Sequence, residues 1–292
     1  MDKRLDFNPI YSICICNYNM GDSLFKSLTS ILEQIDNTFE VILIDDGSND
    51  NSVEICKDLG KIYKNFRFVA LSRDNSRQLG ETRNYSIFLA KGQWCIFHLD
   101  TDDFIGPYIQ DFVILVEALS KKLNRDVLFA GQQIHMAKRD FLLSKGPFLN
   151  IYRGEDRDLY FRLVKSSEWI IITHKRFIHR IQRSKYKLIV KSVRDLFDQG
   201  ITDLRAQNSP RAYLLESLNL VKKLGVKVVL FRCFTIYWTW KIAKKRGFLN
   251  REDYPSHSEF VAYRSQHTKT SKEWLNKYGL TEINEVNPQY FY

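Results

Sequence analysis

Short apolar runs alternate along the first 180 residues with longer stretches whose apolar residues recur at helical spacing. Tyr11-Ser12-Ile13-Cys14-Ile15-Cys16 reads as a strand and stops at Asn17-Tyr18-Asn19-Met20-Gly21, a cluster of turn formers. Leu24, Leu28, Ile31, Leu32 and Ile35 then share a helical face, with Asp22 or Ser23 as the cap. Phe39-Glu40-Val41-Ile42-Leu43-Ile44 is a second strand ending in Asp45-Asp46-Gly47-Ser48, and Asn51 or Ser52 opens a second helix. Arg67 to Leu71 makes a third strand, and residues near Gly80 to Ala90 a third helix. Trp94-Cys95-Ile96-Phe97-His98-Leu99 is a fourth apolar run that ends abruptly in Asp100-Thr101-Asp102-Asp103.

Strands alternating with helices predict a mainly parallel sheet joined by right-handed crossovers and flanked by helices. Asn17-Tyr18-Asn19, Asp45-Asp46 and Asp100-Thr101-Asp102 each follow a strand in the same chain direction. All three groups therefore converge on the carboxyl edge, where open α/β sheets bind ligands. Clustered carboxylates repel one another unless a cation offsets them, and the cluster after the fourth strand suits a hard divalent ion that also holds phosphate oxygens. A Gly-x-Gly-x-x-Gly turn after the first strand and a phosphate-binding P-loop are both missing, which argues against a Rossmann dehydrogenase and a P-loop enzyme.

Composition narrows the classes further. The chain has 292 residues, enough for one large domain or a domain with an appendage. No stretch approaches the roughly 20 uncharged apolar residues of a membrane span, and no secretory signal pattern opens the chain. A cytoplasmic location is expected. The five cysteines, with Cys14 and Cys16 two apart on one strand, make neither a disulfide framework nor a zinc spacing and are read as reduced. The formal charge of +10 points to an anionic partner, and it is uneven: Lys175 to Arg194 and Lys222 to Arg251 hold almost only basic charges.

Together these motifs resemble a family 2 glycosyltransferase with the GT-A fold, a half-Rossmann-like sheet that binds nucleotide sugars. The likeness runs from about Tyr11 to Arg180. It rests on Ser12 to Asn19, on Ile44-Asp45-Asp46-Gly47-Ser48-Asn49-Asp50, on Thr82-Arg83-Asn84 with Ala90-Lys91-Gly92, on Leu99-Asp100-Thr101-Asp102-Asp103, and on Gly154-Glu155-Asp156 leading into Arg157 to Leu163. The resemblance implies an inverting transfer from a nucleoside-diphosphate sugar, UDP-sugar preferred over GDP-sugar, to an acceptor hydroxyl of a glycan or lipid-linked glycan. Asn17, Tyr18, Asn19, Asp45, Asp46, Arg83, Asp100 and Thr101 would then bind the donor. Asp45 would accept from the base's ring N–H, Tyr18 would pack on that base, and Asp46 would border the ribose or diphosphate. Arg83 would pair with Asp45 or the pyrophosphate. Asp100 and Asp102 would hold Mg²⁺ or Mn²⁺, with His179, or its neighbour Arg180, as a further ligand or phosphate contact. Asp156 would be the general base, with Glu155 as the fallback. The loop Asp74 to Gly80 departs from the family's Asn-x-Gly turn. Only roughly fifty residues separate the metal motif from Glu155, a region that shapes the acceptor site.

The expected division is a catalytic domain over residues 1–185 and a mostly helical, basic region over 186–292 that serves acceptor, membrane-surface or homodimer contacts. Between Val221 and Arg251 basic residues interleave with aromatics such as Phe234, Tyr237, Trp238 and Trp240, and no acid interrupts them. Such a helix could lie in a membrane interface at the inner face of the cell membrane or pack on protein. No nucleic-acid-binding module accompanies the charge, so no nucleic-acid partner is expected. Two other readings remain at this point: a nucleotide-sugar-binding scaffold without activity, and a sugar-phosphate nucleotidyltransferase.

Overall fold

The computed structural model describes residues 8–146, 148–151, 154–181, 193, 196–198, 200–201, 203–205, 209–219, 221, 225–246, 255 and 257–292. The boundary expected at 185 lies outside the described residues. The chain begins β1 (Tyr11–Asn17), α1 (Gly21–Leu32), β2 (Phe39–Asp45), α2 (Ser52–Ile62), β3 (Phe66–Ala70), α3 (Leu79–Leu89), β4 (Trp94–Phe97). It continues through β5 (Asp103–Ile105), α4 (Ile109–Ser120), β6 (Leu128–Ala130), β7 (His135–Lys138), α5 (Arg139–Ser144), α6 (Glu155–Lys165), β8 (Trp169–Thr173) and β9 (Ile178–Arg180). Farther on come α7 (Pro210–Asn219), α8 (Val226–Arg246), α9 (His257–His267), β10 (Thr268–Thr270), α10 (Ser271–Lys277) and α11 (Pro288–Phe291).

Eight strands form one sheet in the order β10-β8-β6-β7-β4-β1-β2-β3. Neighbours run parallel except at β7, which opposes β4 and β6. The apolar runs of β1 and β2 are continuous because helices cover both faces of the sheet. Ile13, Ile15, Val41 and Leu43 pack with Leu24, Leu28 and Ile31 of α1 on one side. Cys14, Ile42 and Ile44 face the other side with Ile87 of α3 and Leu159 and Leu163 of α6.

The cap of α1 is not the one the chain's local pattern suggests. Its N-cap is Met20, and the open N–H of Gly21 instead donates to Asp50 Oδ2 at 2.8 Å. The same carboxylate accepts from Ser52 N through Oδ1 at 3.0 Å, so one side chain ends two helices.

The last described stretch returns to the sheet. β10 pairs with β8 in parallel, and a reciprocal cap between Thr270 and Glu273 starts α10. Trp274 (1% exposed) donates its indole N–H to Ile171 O at 2.9 Å, and Phe291 is buried on the same core. The region past residue 185 is mostly helical among its described residues, and residues 257–292 close the edge of the main sheet. Among the described residues no helix is long and apolar enough to cross a membrane.

Candidate active site

The carboxyl ends of β1, β2 and β4, the loop after β3 and the start of α6 surround a cleft of about 1620 Å³. The β1 and β2 turns are locked together first. Asp45 is wholly buried and accepts from Ser48 N (2.8 Å), Ser48 Oγ (2.6 Å) and Asn17 Nδ2 (2.8 Å). Asn19, at φ 54°, donates its N–H to Ser48 Oγ and accepts from Asn49 N through Oδ1. Asp45 and Asn19 therefore build the turns. Asn17 lines the cleft, and its buried Oδ1 has no hydrogen-bond partner.

Asp46 is the carboxylate of this pair that lines the cleft, whereas Asp45 accepts three hydrogen bonds inside the turn. Arg77 and Arg73 both ion-pair with Asp46, and the Arg73 guanidinium lies 4.4 Å from the ring of Tyr18, itself 43% exposed. A flat stack of guanidinium and phenol at the mouth offers a planar surface to an aromatic base. Gly47, at φ +76°, permits this: a Cβ there would sit 2.6 Å from Arg73 N. Arg73 and Arg77 were missed in the sequence, although the rule that gathers the loops after β1, β2 and β4 on this edge applies equally to the loop after β3.

The second group follows β4. Single ligand atoms of Asp100, Asp102 and Asp103 lie within 4.8 Å of one another, with Asp102 and Asp103 buried. The loop is held from α1, where Ser23 Oγ donates to Thr101 O (2.9 Å) and Ser27 Oγ to Asp100 O (3.3 Å). Thr101 also lines the cleft. β5 and β9 form a two-stranded antiparallel ladder that sets Arg180 opposite Asp103. Arg180 ion-pairs with Asp102, with Asp103 (Nε to Oδ1, 3.2 Å) and with Asp100 (Nη2 to Oδ2, 3.4 Å). His179, expected as a metal ligand, is exposed and pairs in register with Phe104; strand alternation turns its side chain away from the face that Arg180 uses. The acidic set gains Asp103 instead. An all-oxygen donor set that already draws a guanidinium fits a hard divalent cation.

The third group opens α6. Glu155 is buried and lies 3.1 Å from Arg83 Nε, so the carboxylate beside that arginine is Glu155 rather than Asp45. Burial pushes the Glu155 carboxyl up despite the nearby guanidinium. Gly80 allows α3 to approach this point, because a Cβ there would meet Leu149 O at 1.8 Å and Glu155 Cβ at 3.2 Å. Asp156 is more open, with 33% of its side chain accessible, and sits 3.4 Å from His98 Nε2. Burial opposes its ionisation, but the hydrogen bond and charge of His98, the Arg83 charge and the Arg157 N–H outweigh it and hold Asp156 well below the usual carboxylate range.

His98 adopts φ 72°, a left-handed conformation that turns the chain between β4 and the carboxylate loop. Its ring stacks on His135 (4.5 Å), whose Nε2 is 2.7 Å from Tyr160 Oη, and Tyr160 stacks on Trp169 (4.5 Å). All four line the cleft beyond Asp156. Burial keeps the His135 ring neutral and pushes the Cys16 thiol up to about 12, so neither adds charge at neutral pH. The position of His98 at the end of β4, next to the carboxylates, is the sign of this cleft role in the sequence.

A mainly parallel sheet with an acidic loop after β4 and a carboxylate opening α6 beneath one cleft defines the GT-A glycosyltransferase class. Residues 12–167, more than half of the chain, match the family described as Glycosyl transferase family 2, and the chain belongs to that family. Among curated relatives, the Streptococcus pneumoniae protein "Glycosyltransferase GlyG" is 34% identical over 98 residues, which are 34% of this chain and 32% of that one. Escherichia coli "UDP-Glc:alpha-D-GlcNAc-diphosphoundecaprenol beta-1,3-glucosyltransferase WfaP" is 32% identical over 95 residues, 32% of this chain and 36% of the relative. The likeness thus spans about a third of each relative's length. Of solved structures, S. aureus TarS 1–349 in complex with UDP-GlcNAc superposes with a TM-score of 0.54 at 14% identity, covering 97% of this chain and 99% of that one. Mannosyltransferase PcManGT from Pyrobaculum calidifontis, in complex with GDP-Man and Mn²⁺, gives 0.53 at 11% identity over 94% and 80%. At such identities the two structures share the fold with this chain.

Proposed function

We propose that this glycosyltransferase moves a hexosyl or N-acetylhexosaminyl unit from a nucleoside-diphosphate sugar, UDP-sugar preferred, to a hydroxyl of a glycan or lipid-linked acceptor, with inversion. One observation carries the reading: Asp46, the Asp100–Asp102–Asp103 cluster and Asp156 line or border a single cleft. The UDP-GlcNAc bound to TarS and the UDP-Glc in the name of WfaP support the donor class.

In this reading the base lies on the Tyr18–Arg73 stack, with Asp46 and the unpaired Asn17 Oδ1 as acceptors for its ring or ribose donors. Asp100, Asp102 and Asp103 would hold Mg²⁺ or Mn²⁺, which would neutralise charge on the departing diphosphate. Arg180, which sits among these carboxylates, would offer its guanidinium to the phosphates. Asp156 accepts the proton of the acceptor hydroxyl as that oxygen attacks the anomeric carbon opposite the diphosphate. His98 fixes the orientation of the carboxylate and, with Arg83, keeps it ionised. Glu155, closed off by Arg83, anchors the helix start instead.

The test is incubation of the protein with UDP- and GDP-sugars, Mn²⁺ and a set of glycan and lipid-linked acceptors, with detection of nucleoside diphosphate release and of glycosylated product. Acceptor-dependent release of UDP supports the reading. Donor binding with no turnover on any acceptor would favour a non-catalytic binding protein.

A further inference from the structure

Helix α8 turns a stripe of large apolar residues outward. Its inward side carries Arg232 (4% exposed), Thr235 and Thr239 together with Val229 and Ala243, and Ile236, Trp240 and Ile242 pack partly buried on the small core formed with Ile201, Leu204 and Tyr213. Thr235 and Thr239 return their hydroxyls to backbone carbonyls one turn back, and Arg232 bonds Ser217 Oγ and ion-pairs with Asp203 at 3.5 Å. Its outward side carries Val226, Leu230, Phe234, Tyr237 and Trp238, all between 49% and 73% exposed. At 3.6 residues per turn these positions fall on one stripe, within an arc of about 120°. A helix of a water-soluble surface sorts the other way. Lys227, Lys241, Lys244 and Lys245 are exposed and fall on the same arc, near the two ends of the stripe, and no Asp or Glu occurs from residue 217 to residue 251.

We propose that the outer face of α8 lies in the interface of an anionic lipid bilayer. The charge selects the occupant. An aromatic stripe edged by lysines complements a surface of negative headgroups over an apolar layer, with the rings at the boundary and the ammonium groups among the phosphates. A second copy fits poorly, since it would set one acid-free basic helix against another on a chain of net charge +10. The helix does not cross the bilayer. Its position suits a lipid-borne acceptor: Asp203 ties Arg232 of α8 to Arg157, the residue after Asp156, so the membrane-facing helix is braced to the aromatic end of the cleft.

The test is sedimentation of the full chain with vesicles of phosphatidylcholine alone and of phosphatidylcholine mixed with phosphatidylglycerol. The chain pellets with the mixed vesicles and is released by salt. Phe234→Ser with Trp238→Ser, at rings that are 73% and 49% exposed, lowers partitioning roughly a hundredfold or more, and replacing Lys241, Lys244 and Lys245 by Gln lowers it on the order of a hundredfold. A polarity-sensitive fluorophore on Cys233, the exposed cysteine of this face, shifts to the blue with mixed vesicles only. UDP binding and thermal unfolding of each variant report folding independently of lipid. Retention in the supernatant with both vesicle types, or equal partitioning of wild type and the Phe234/Trp238 variant, overturns the proposal. So does a light-scattering mass of two chains that falls to one in that variant, which assigns the face to a second copy.

Discussion

Asp102 is 2% exposed and Phe234 is 73% exposed, in one chain. The cleft buries charge and α8 exposes aromatic rings, and each inverts the ordinary sorting of side chains. The two inversions are stabilised differently. In the cleft every buried carboxylate has a basic neighbour: Asp46 with Arg73 and Arg77, Glu155 with Arg83, Asp102 and Asp103 with Arg180. Such a network holds charges at fixed places, which suits a small, highly charged ligand. On α8 nothing described covers the stripe, which suits an extended apolar surface instead.

The sharpest way to break the reading of the cleft is Asp156→Asn. It should lower transfer by about 10²–10⁴-fold while leaving donor affinity unchanged, measured as initial rates and separate nucleotide binding. Equal losses in both would make Asp156 a structural residue.

Two tryptophans sharpen the contrast in burial. Trp274→Ala should cost about 3–5 kcal/mol in denaturant unfolding, because it empties the core and strands the Ile171 carbonyl. Trp238→Ser, on the exposed stripe, should change stability by no more than about 0.5 kcal/mol. Similar losses at both would mean that α8 is covered in solution.

Arg180→Gln tests the cation among the carboxylates. Without added metal it should destabilise the fold by about 1–3 kcal/mol, since buried acids lose a charged partner, and Mn²⁺ should recover most of that loss. A midpoint insensitive to Mn²⁺ in both proteins would break the assignment.

The smallest effect lies outside both regions. His174 accepts from Gln132 N through Nε2 (2.9 Å) while Nδ1 faces Lys175 O (2.8 Å), a neutral tautomer, and burial holds its pKa below the ordinary value. The unfolded chain therefore takes up a proton that the folded one refuses. Stability should be full above about pH 6.5 and fall as pH drops below it, by about 1.4 kcal/mol per pH unit at most. In His174→Asn this slope should flatten between pH 7 and 5.

The order of strands and helices to α3, and the edge on which the chemistry gathers, were legible because buried parallel strands and amphipathic helices leave local patterns. The placement of Asp100, Asp102 and Asp156 at the cleft was legible for the same reason, each lying next to a readable element. What stayed hidden depends on distant pairing. Arg180 reaches the carboxylates only through the β5–β9 ladder, and Asp45 differs from Asp46 only because Asn17 and Ser48 close around it. The return of residues 257–292 to the sheet was equally unreadable, as three residues of β10 carry no apolar pattern. For α8 the chain shows the mixture of basic and aromatic residues, but which face turns outward is set by Asp203 and Ser217 holding Arg232.

The central claim is that the carboxylate cluster and the arginine-lined mouth form one metal-assisted site for a nucleoside diphosphate. Calorimetric titration of UDP into wild type and Asp102→Ala, each with and without Mn²⁺, tests it most directly. The account predicts UDP binding that strengthens with Mn²⁺ in wild type and loses that dependence in Asp102→Ala. Equal UDP affinity in all four titrations, or no binding of UDP or GDP by the folded wild type, would contradict it.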